Sequence, residues 1–256
     1  MTATLPDPQY MTSDDHVRLA WREVGPANGR PVLLLHGYFS DAVTNWIRYG
    51  HAAAIAAAGC GVILPDLRAH GDSDKPHDPA CYPPDILARD GLALIAHLGL
   101  TDYDLGGYSL GARTVVRMLA NGARPRRVVL SGMGLEGLTH TAGRGGHFRR
   151  ILTNLGSFER GSPEWLAEAF LKTTKGDPEA LLLILDSFVD TPAEVIAGLD
   201  TPTLVVSGVE DHDNGSSRAL AALLPDARFE GVPGNHMSAV TRPELGAAIA
   251  GFLAAA

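Results

Sequence analysis

Apolar runs of strand length alternate with helical patterns along most of the chain, the mark of successive βαβ units and a mainly parallel sheet. Residues 17–24, VRLAWREV, alternate as a strand with one polar face does. Residues 31–37, PVLLLHG, are apolar without interruption up to the final His-Gly, as expected of a central strand covered on both faces. Further strands are predicted in GVILPD (61–66), YDLGG (103–107), RRVVLSG (126–132), TPTLVVSG (201–208) and ARFEGVPG (227–234). Between them fall helical patterns with matching stop and start signals. HAAAIAAAG (51–59) ends on glycine, and PPDILARDGLALIAHLG (83–99) opens on proline and closes on glycine. Another helix should run from Ser109 to about Asn121, and two more are expected in SSRALAALLP (216–225) and PELGAAIAGFLA (243–254).

From Gly132 to about Asp200 the alternation stops and only helical segments follow: GHFRRILTNLG, SPEWLAEAFLKTT and DPEALLLILDSFV, the last two opened by Ser-Pro and Asp-Pro. The pattern predicts an α/β core made of residues 1–132 and 200–256, with residues 133–199 inserted as a small helical cap. The stretch DSDKPHDPACYPPD (72–85) is rich in Pro and Asp and reads as an irregular surface loop.

Composition narrows the class. A chain of 256 residues with 45% hydrophobic and 20% charged content suffices for one large α/β domain with a full core. Its 21 Lys+Arg against 29 Asp+Glu leave a formal charge of −8, which argues against a nucleic-acid partner. Cys60 and Cys81 lack metal-ligand spacing and form no disulfide framework, and no His/Cys/Asp cluster has convincing metal spacing, so no metal or cofactor is expected. The start, MTATLPDPQYMTSDD, has no cationic and apolar leader, and no run is apolar for long enough to cross a bilayer. The expected location is the cytoplasm, with no membrane partner. Nothing in the chain reports the oligomeric state.

The chemistry concentrates at Gly107-Tyr108-Ser109-Leu110-Gly111, a G-x-S-x-G set between a predicted strand and a predicted helix. A sharp turn there would hold the serine in a strained geometry, lift its Oγ above the sheet and aim the Leu110 amide at the same point from a helix N-terminus. A serine needs a base and an orienting acid, and both follow in chain order. LVVSGVEDHDNG ends a strand with Asp211, and GVPGNHMSAV sets His236 after the next strand, just before the last helix. The C-terminal ends of parallel strands share one edge of the sheet, so the three residues should converge there. His236 would accept the serine proton while Asp211 fixes its tautomer. Glu210 and Asp213 compete with Asp211 for that role, and the spacing from Gly208 favours Asp211. LLLHGYFSD can provide a second oxyanion donor, the Tyr38 amide, once Gly37 turns the chain off its strand. His36 is read as a hydrogen-bonding residue that shapes this loop.

Together, LLLHGYFSDAVTNW, PDLRAHGDSDKP, GGYSLGA, LVVSGVED and GNHM resemble the α/β-hydrolase fold family in its small-capped, serine esterase-like branch. The resemblance covers nearly the whole chain and is least specific in the cap. It implies an eight-stranded, mostly parallel sheet flanked by helices, a Ser109, Asp211 and His236 triad, and an oxyanion hole from the Tyr38 and Leu110 amides. Asp66, Arg68 and Ser73 match a family motif read as structural support. Dehalogenases and epoxide hydrolases of the family carry aspartate at the elbow, so Ser109 disfavours those activities.

The expected partner is a small-molecule ester or lactone, hydrolysed through an acyl-enzyme. A carbon–carbon bond hydrolase, a cofactor-free perhydrolase and a ligand receptor that retains a slow hydrolase site would share the same residues. Met133, Phe148 and Trp165 are the pocket candidates among the cap's apolar side chains. Arg144, Arg149 and Arg150, with His147, form a basic cluster that is either a solvated helix face or a site for a substrate carboxylate.

Overall fold

The computed structural model describes residues 5–255, so the first four residues of the MTATLPDPQYMTSDD start lie outside the described residues. Eight strands are found among the described residues: β1 (Gln9–Thr12), β2 (Arg18–Val24), β3 (Arg30–Leu35), β4 (Cys60–Pro65), β5 (Asp104–Tyr108), β6 (Val128–Ser131), β7 (Thr203–Gly208) and β8 (Ala227–Val232). They form one sheet in the order β1-β2-β4-β3-β5-β6-β7-β8. β2 runs antiparallel to both its neighbours, and every pairing from β4 through β3 to β8 is parallel.

The uninterrupted apolar run in β3 has the expected consequence. Leu33 and Leu35 enter the core on one face of the sheet and Val32 and Leu34 the core on the other, because successive side chains of a strand point to opposite faces. Of the helices that follow, α1 (His51–Ala57) lies on one face, and α2 (Ile86–His97) and α3 (Leu110–Ala120) lie on the other. Between β6 and β7 come helices alone: α4 (Leu135–Thr139), α5 (Thr141–Thr153), α6 (Pro163–Thr173), α7 (Pro178–Asp186) and α8 (Ala193–Ala197). The Ser-Pro and Asp-Pro signals work as read. Ser162 Oγ accepts the Trp165 amide at 3.2 Å, and Asp177 Oδ1 accepts the Ala180 amide at 3.1 Å. The chain ends with α9 (Ser217–Leu223), α10 (His236–Ala239) and α11 (Pro243–Ala254), the last packed beside α1.

Four short elements escaped residue patterning: β1, α4, α8 and α10, each of four or five residues. α10 also corrects a detail, because His236 opens a short helix of its own rather than leading into the last one.

Candidate active site

Ser109 sits at the junction of β5 and α3 with φ 53° and ψ −110°, a backbone region that a residue with a side chain occupies only when its surroundings impose it. The two glycines of the motif explain the imposition. A Cβ at Gly107 would collide with the Gly111 carbonyl, and a Cβ at Gly111 would collide with the Leu35 carbonyl of β3. The strand-to-helix turn is therefore pressed against the neighbouring strand, and only glycine permits the approach. Ser109 itself is partly exposed at the top of this turn.

Three side chains from three strand ends meet here. Ser109 Oγ is 3.0 Å from His236 Nε2, and His236 Nδ1 is 2.9 Å from Asp211 Oδ2. A carboxylate can only accept, so Nδ1 carries the imidazole proton and Nε2 is left to accept from the serine hydroxyl. Asp211 is buried, and its other oxygen takes the Asp213 amide at 3.2 Å. Asp213 is turned away, its Oδ2 2.6 Å from Arg144 Nη2, and Glu210 is exposed. Of the three adjacent acids, the one facing His236 is Asp211.

The histidine is held by more than its acid. Asn235 caps α10 through the amides of Met237 and Ser238, and the Tyr108 hydroxyl donates to the His236 carbonyl at 2.5 Å. Sequence reading passed over Tyr108, the variable position of G-x-S. The usable signal was a tyrosine on a strand buried on both faces, since a buried phenol needs an acceptor.

The loop after β3 leans over Ser109: a Cβ at Gly37 would stand 3.6 Å from the Ser109 Cβ. His36 sets the orientation of its first peptide. The Leu67 amide donates to His36 Nε2 at 2.9 Å, so the proton is on Nδ1, which donates to the Gly37 carbonyl at 2.8 Å. In a trans peptide the following N–H points the opposite way, so the Tyr38 amide is directed away from His36. Among the described residues no protein acceptor takes the amide of Tyr38 or of Leu110. Leu110 opens α3, where free amides are intrinsic to the helix start. Burial pushes His36 and His70 below the ordinary histidine range, and their rings lie 5.0 Å apart beneath this loop.

The family-motif residues brace the same loop. Asp66 accepts the Ala42 amide at 2.8 Å and lies 3.3 Å from Arg22, while Ser73 Oγ donates to the Asp66 carbonyl at 2.6 Å. Arg68, fully buried, is paired with Asp15 and Asp90.

Of the pocket candidates, Phe148 packs edge-on against Tyr38 with ring centroids 4.7 Å apart, and Met133 is buried just beyond β6. Trp165 lies in the first turn of α6, and no ring contact among the described residues joins it to Tyr38. The basic cluster divides. Arg149 and Arg150 are exposed and paired with Asp186 and Glu164, whereas Arg144 turns inward, its guanidinium 4.8 Å from the Phe148 ring centre. Residues 133–199 also tie down the loop after β3: the Tyr38 hydroxyl donates to the Leu181 carbonyl at 2.6 Å, and Thr174 Oγ1 to the Phe39 carbonyl at 2.7 Å. A small cavity of about 20 Å³, room for roughly one water, lies between α2, α3 and the segment after α7, lined by Leu110, Arg113, Thr114, Phe188 and Val189.

This geometry has company among known proteins. A family model described as "Alpha/beta hydrolase family" matches residues 32–249. A solved hydrolase from Pseudomonas aeruginosa PA01 superposes with a TM-score of 0.78 at 24% identity, covering 97% of this chain and 99% of that one. The enol-lactonase from Burkholderia xenovorans LB400 does so with a TM-score of 0.74 at 23% identity, covering 96% and 100%. At these identities the likeness is one of fold. Among curated relatives, the non-heme haloperoxidase of Rhodococcus erythropolis is 25% identical over 263 residues, covering 88% of this chain and 91% of that one. Two further curated matches are partial. A 36% identical segment of 110 residues covers 28% of the dihydrolipoyllysine-residue acetyltransferase component of the acetoin cleaving system from Pseudomonas putida. A 31% identical segment of 111 residues covers 39% of the AB hydrolase superfamily protein YisY from Bacillus subtilis (strain 168).

Proposed function

The chain belongs to the α/β hydrolase family, and on that premise we propose that it hydrolyses a small carboxylic ester or lactone through an acyl-enzyme on Ser109. The observation that carries this reading is the continuous relay of hydrogen bonds from Ser109 Oγ through His236 to Asp211, at 3.0 and 2.9 Å. His236 removes the hydroxyl proton as Ser109 attacks the carbonyl carbon, and the Tyr38 and Leu110 amides stabilise the resulting oxyanion. The same histidine then protonates the leaving alkoxide. Water, deprotonated by His236, opens the acyl-enzyme and restores the serine. Asp211 keeps the imidazole in the tautomer this sequence needs and steadies its cationic form. Residues 133–199 act as the cap, bringing Phe148 against the oxyanion loop.

A perhydrolase is the second reading, favoured by the near full-length similarity to a non-heme haloperoxidase. It uses the same acyl-enzyme, with hydrogen peroxide in place of water and a peracid as product.

Labelling with a fluorophosphonate followed by peptide mapping tests the common step. The label is expected on Ser109 alone, with Ser109→Ala protein unlabelled and its turnover of p-nitrophenyl esters lower by several orders of magnitude. A label on Ser131 or Ser207 would sink the assignment. Product analysis with and without peroxide then separates the two readings.

A further inference from the structure

The turn after β3 contains a strained residue. Ser40 closes this turn by donating its amide to the Gly37 carbonyl at 3.2 Å, which makes Phe39 the third of its four residues. The φ of Phe39 is 59°, in the left-handed region where glycine or asparagine is the usual occupant of that position. A phenylalanine persists there only when its surroundings over-determine it, and such residues cluster where a site needs a fixed backbone. The residue before it is Tyr38, whose amide is assigned to the oxyanion.

From the sheet side, the polar contacts secure the entry to the turn. Asn45 Oδ1 accepts the Gly37 amide at 2.9 Å, His36 Nδ1 donates to the Gly37 carbonyl at 2.8 Å, and the His70 ring meets that of Tyr38 edge-on at 5.8 Å. The Phe39 carbonyl and the Tyr38 hydroxyl find their partners in residues 133–199 instead. Thr174, just after α6, donates from Oγ1 to the Phe39 carbonyl at 2.7 Å. The Leu171 and Phe170 carbonyls of its own helix are farther, at 3.1 and 3.3 Å, and a hydroxyl has one proton to give. The Tyr38 hydroxyl donates to Leu181 of α7 at 2.6 Å. The Phe39 ring, stacked on Tyr38 at 4.6 Å between centroids, meets Phe148 of α5 at 5.1 Å. Three helical elements from residues 133–199 thus grip two consecutive residues.

Their grip bears on the amide. Peptide planes are rigid, so the Tyr38 N–H and the Phe39 carbonyl are linked only through the backbone rotations of Tyr38 and Phe39. With the Gly37 carbonyl fixed at one end and the Phe39 carbonyl at the other, the direction of the Tyr38 amide between them is set. Were Phe39 to relax to a negative φ, the Ser40 to Gly37 closure would open and the amide would swing with it. A misplacement of about 1 Å in a catalytic group costs on the order of a hundredfold in rate.

We propose that Thr174 is a positioning residue for the Tyr38 amide: its hydroxyl, together with the Tyr38 phenol on Leu181, lets residues 133–199 hold the turn in the strained form that presents this amide to the oxyanion. The inference rests on the ester or lactone reading above. It gives the helical segment a part in the chemical step besides that of walling a pocket, since the seating of α6 and α7 becomes a condition for stabilising the tetrahedral intermediate.

Isosteric variants remove the ties one at a time: Thr174→Val, Tyr38→Phe and the two combined. Thr173→Val is the control, because that hydroxyl bonds within α6, to the Ala169 carbonyl. Hydrogen exchange over residues 36–41 reads the ties without turnover, and it should quicken by about tenfold in Thr174→Val and in Tyr38→Phe and stay as in wild type in Thr173→Val. On a p-nitrophenyl ester, Thr174→Val should lower kcat by about tenfold with KM within about twofold, and Thr174→Ser should recover most of the rate. The combined variant should lose about a hundredfold or more, approaching the loss of one oxyanion donor. Affinity for a trifluoromethyl ketone, whose adduct on Ser109 carries the oxyanion, should fall in step with kcat. Unchanged exchange, a loss confined to KM, or a fall in kcat with ketone affinity kept would each overturn the proposal. If exchange quickens as expected while wild-type protein cleaves no ester and takes no fluorophosphonate, the ester reading falls and the ties stand. If Thr174→Val does not fold, Tyr38→Phe decides: wild-type kcat and ketone affinity count against the proposal.

Discussion

At the scale of single residues, the acid facing His236 is decided by partners rather than by chain position. Asp211 and Asp213 are two residues apart and chemically identical, yet one is buried against the imidazole and the other holds Arg144 at the surface. Asp211→Asn should therefore lower kcat by about three to four orders of magnitude, because an amide favours the wrong imidazole tautomer, while Asp213→Asn and Glu210→Gln should each cost less than about tenfold. Steady-state rates of the three variants on one p-nitrophenyl ester, with matched circular dichroism spectra, check this. A collapse confined to Asp213→Asn would transfer the role. Chain order sufficed to bring Ser109, Asp211 and His236 onto one short candidate set, because strand ends of a parallel sheet share an edge. It could not disclose the burial of Arg113, which is 5% exposed on α3 with its Nε 3.1 Å from the Gly137 carbonyl and which reads in the sequence as one more polar position on an amphipathic helix. Arg113 also carries a stability prediction. Its pKa is lowered in the fold, to about 10, so the folded state disfavours the charge at every pH below that value. Arg113→Met should raise Tm by several degrees at neutral pH, read by calorimetry, and a fall of similar size would mean that the Gly137 contact outweighs the cost of burying the charge.

At the scale of elements, legibility follows length and periodicity. Runs such as PVLLLHG and PELGAAIAGFLA announce themselves, whereas β1, with four residues and mostly exposed side chains, offers too few positions for any period to emerge. α5 begins at Thr141, five residues before the GHFRRILTNLG pattern, because Gly143, Gly145 and Gly146 dilute its helical signal. Those glycines differ sharply from the ones at the elbow. A Cβ at any of the three meets nothing within 4 Å, whereas one at Gly111 strikes the backbone of β3. Gly143→Ala and Gly145→Ala should each stabilise the protein by about 0.5–1 kcal/mol through helix propensity and the reduced freedom of the unfolded chain. Gly111→Ala should cost more than about 3 kcal/mol or prevent folding, since neither the strand nor the turn can yield. Urea unfolding of the three variants separates the two kinds of glycine, and a tolerated Gly111→Ala would show that α3 can move off β3. Since α5 carries Arg144 and Phe148 over the candidate site, the alanine variants also report whether a stiffer helix slows turnover.

At the scale of the whole molecule, the sheet edge that gathers the candidate site is held together by buried groups that work only when neutral or paired. His36 must accept the Leu67 amide through Nε2, and protonation there would replace an acceptor by a second donor pointed at a donor. His70 stands beside it, with Nδ1 2.8 Å from the Arg68 carbonyl and Nε2 buried without a partner. Burial lowers both pKa values in the fold, while the unfolded chain keeps the ordinary histidine value of about 6.5. Between those limits the unfolded state binds more protons than the folded one, so stability rises with pH across the window. The contribution is complete above about pH 6.5 and is lost progressively as pH falls below it toward the folded-state values. His51, buried against the Val240 carbonyl at 2.6 Å and lowered for the same reason, adds in the same direction from the opposite face of the sheet. Tm measured from pH 8 to pH 4.5 should therefore be flat at first and then decline from about pH 6.5, before the carboxylates titrate. His70→Asn should flatten the decline between pH 6.5 and 5, because one of the groups that must stay neutral is gone. Activity gives the complementary test. His36 orients the Gly37–Tyr38 peptide, so acid inactivation that begins before unfolding, and that KM does not follow, would locate the first failure in the loop after β3 and support the proposed role of its Tyr38 amide. A Tm profile level down to pH 5 in wild-type protein would show that these buried imidazoles titrate without cost to the fold.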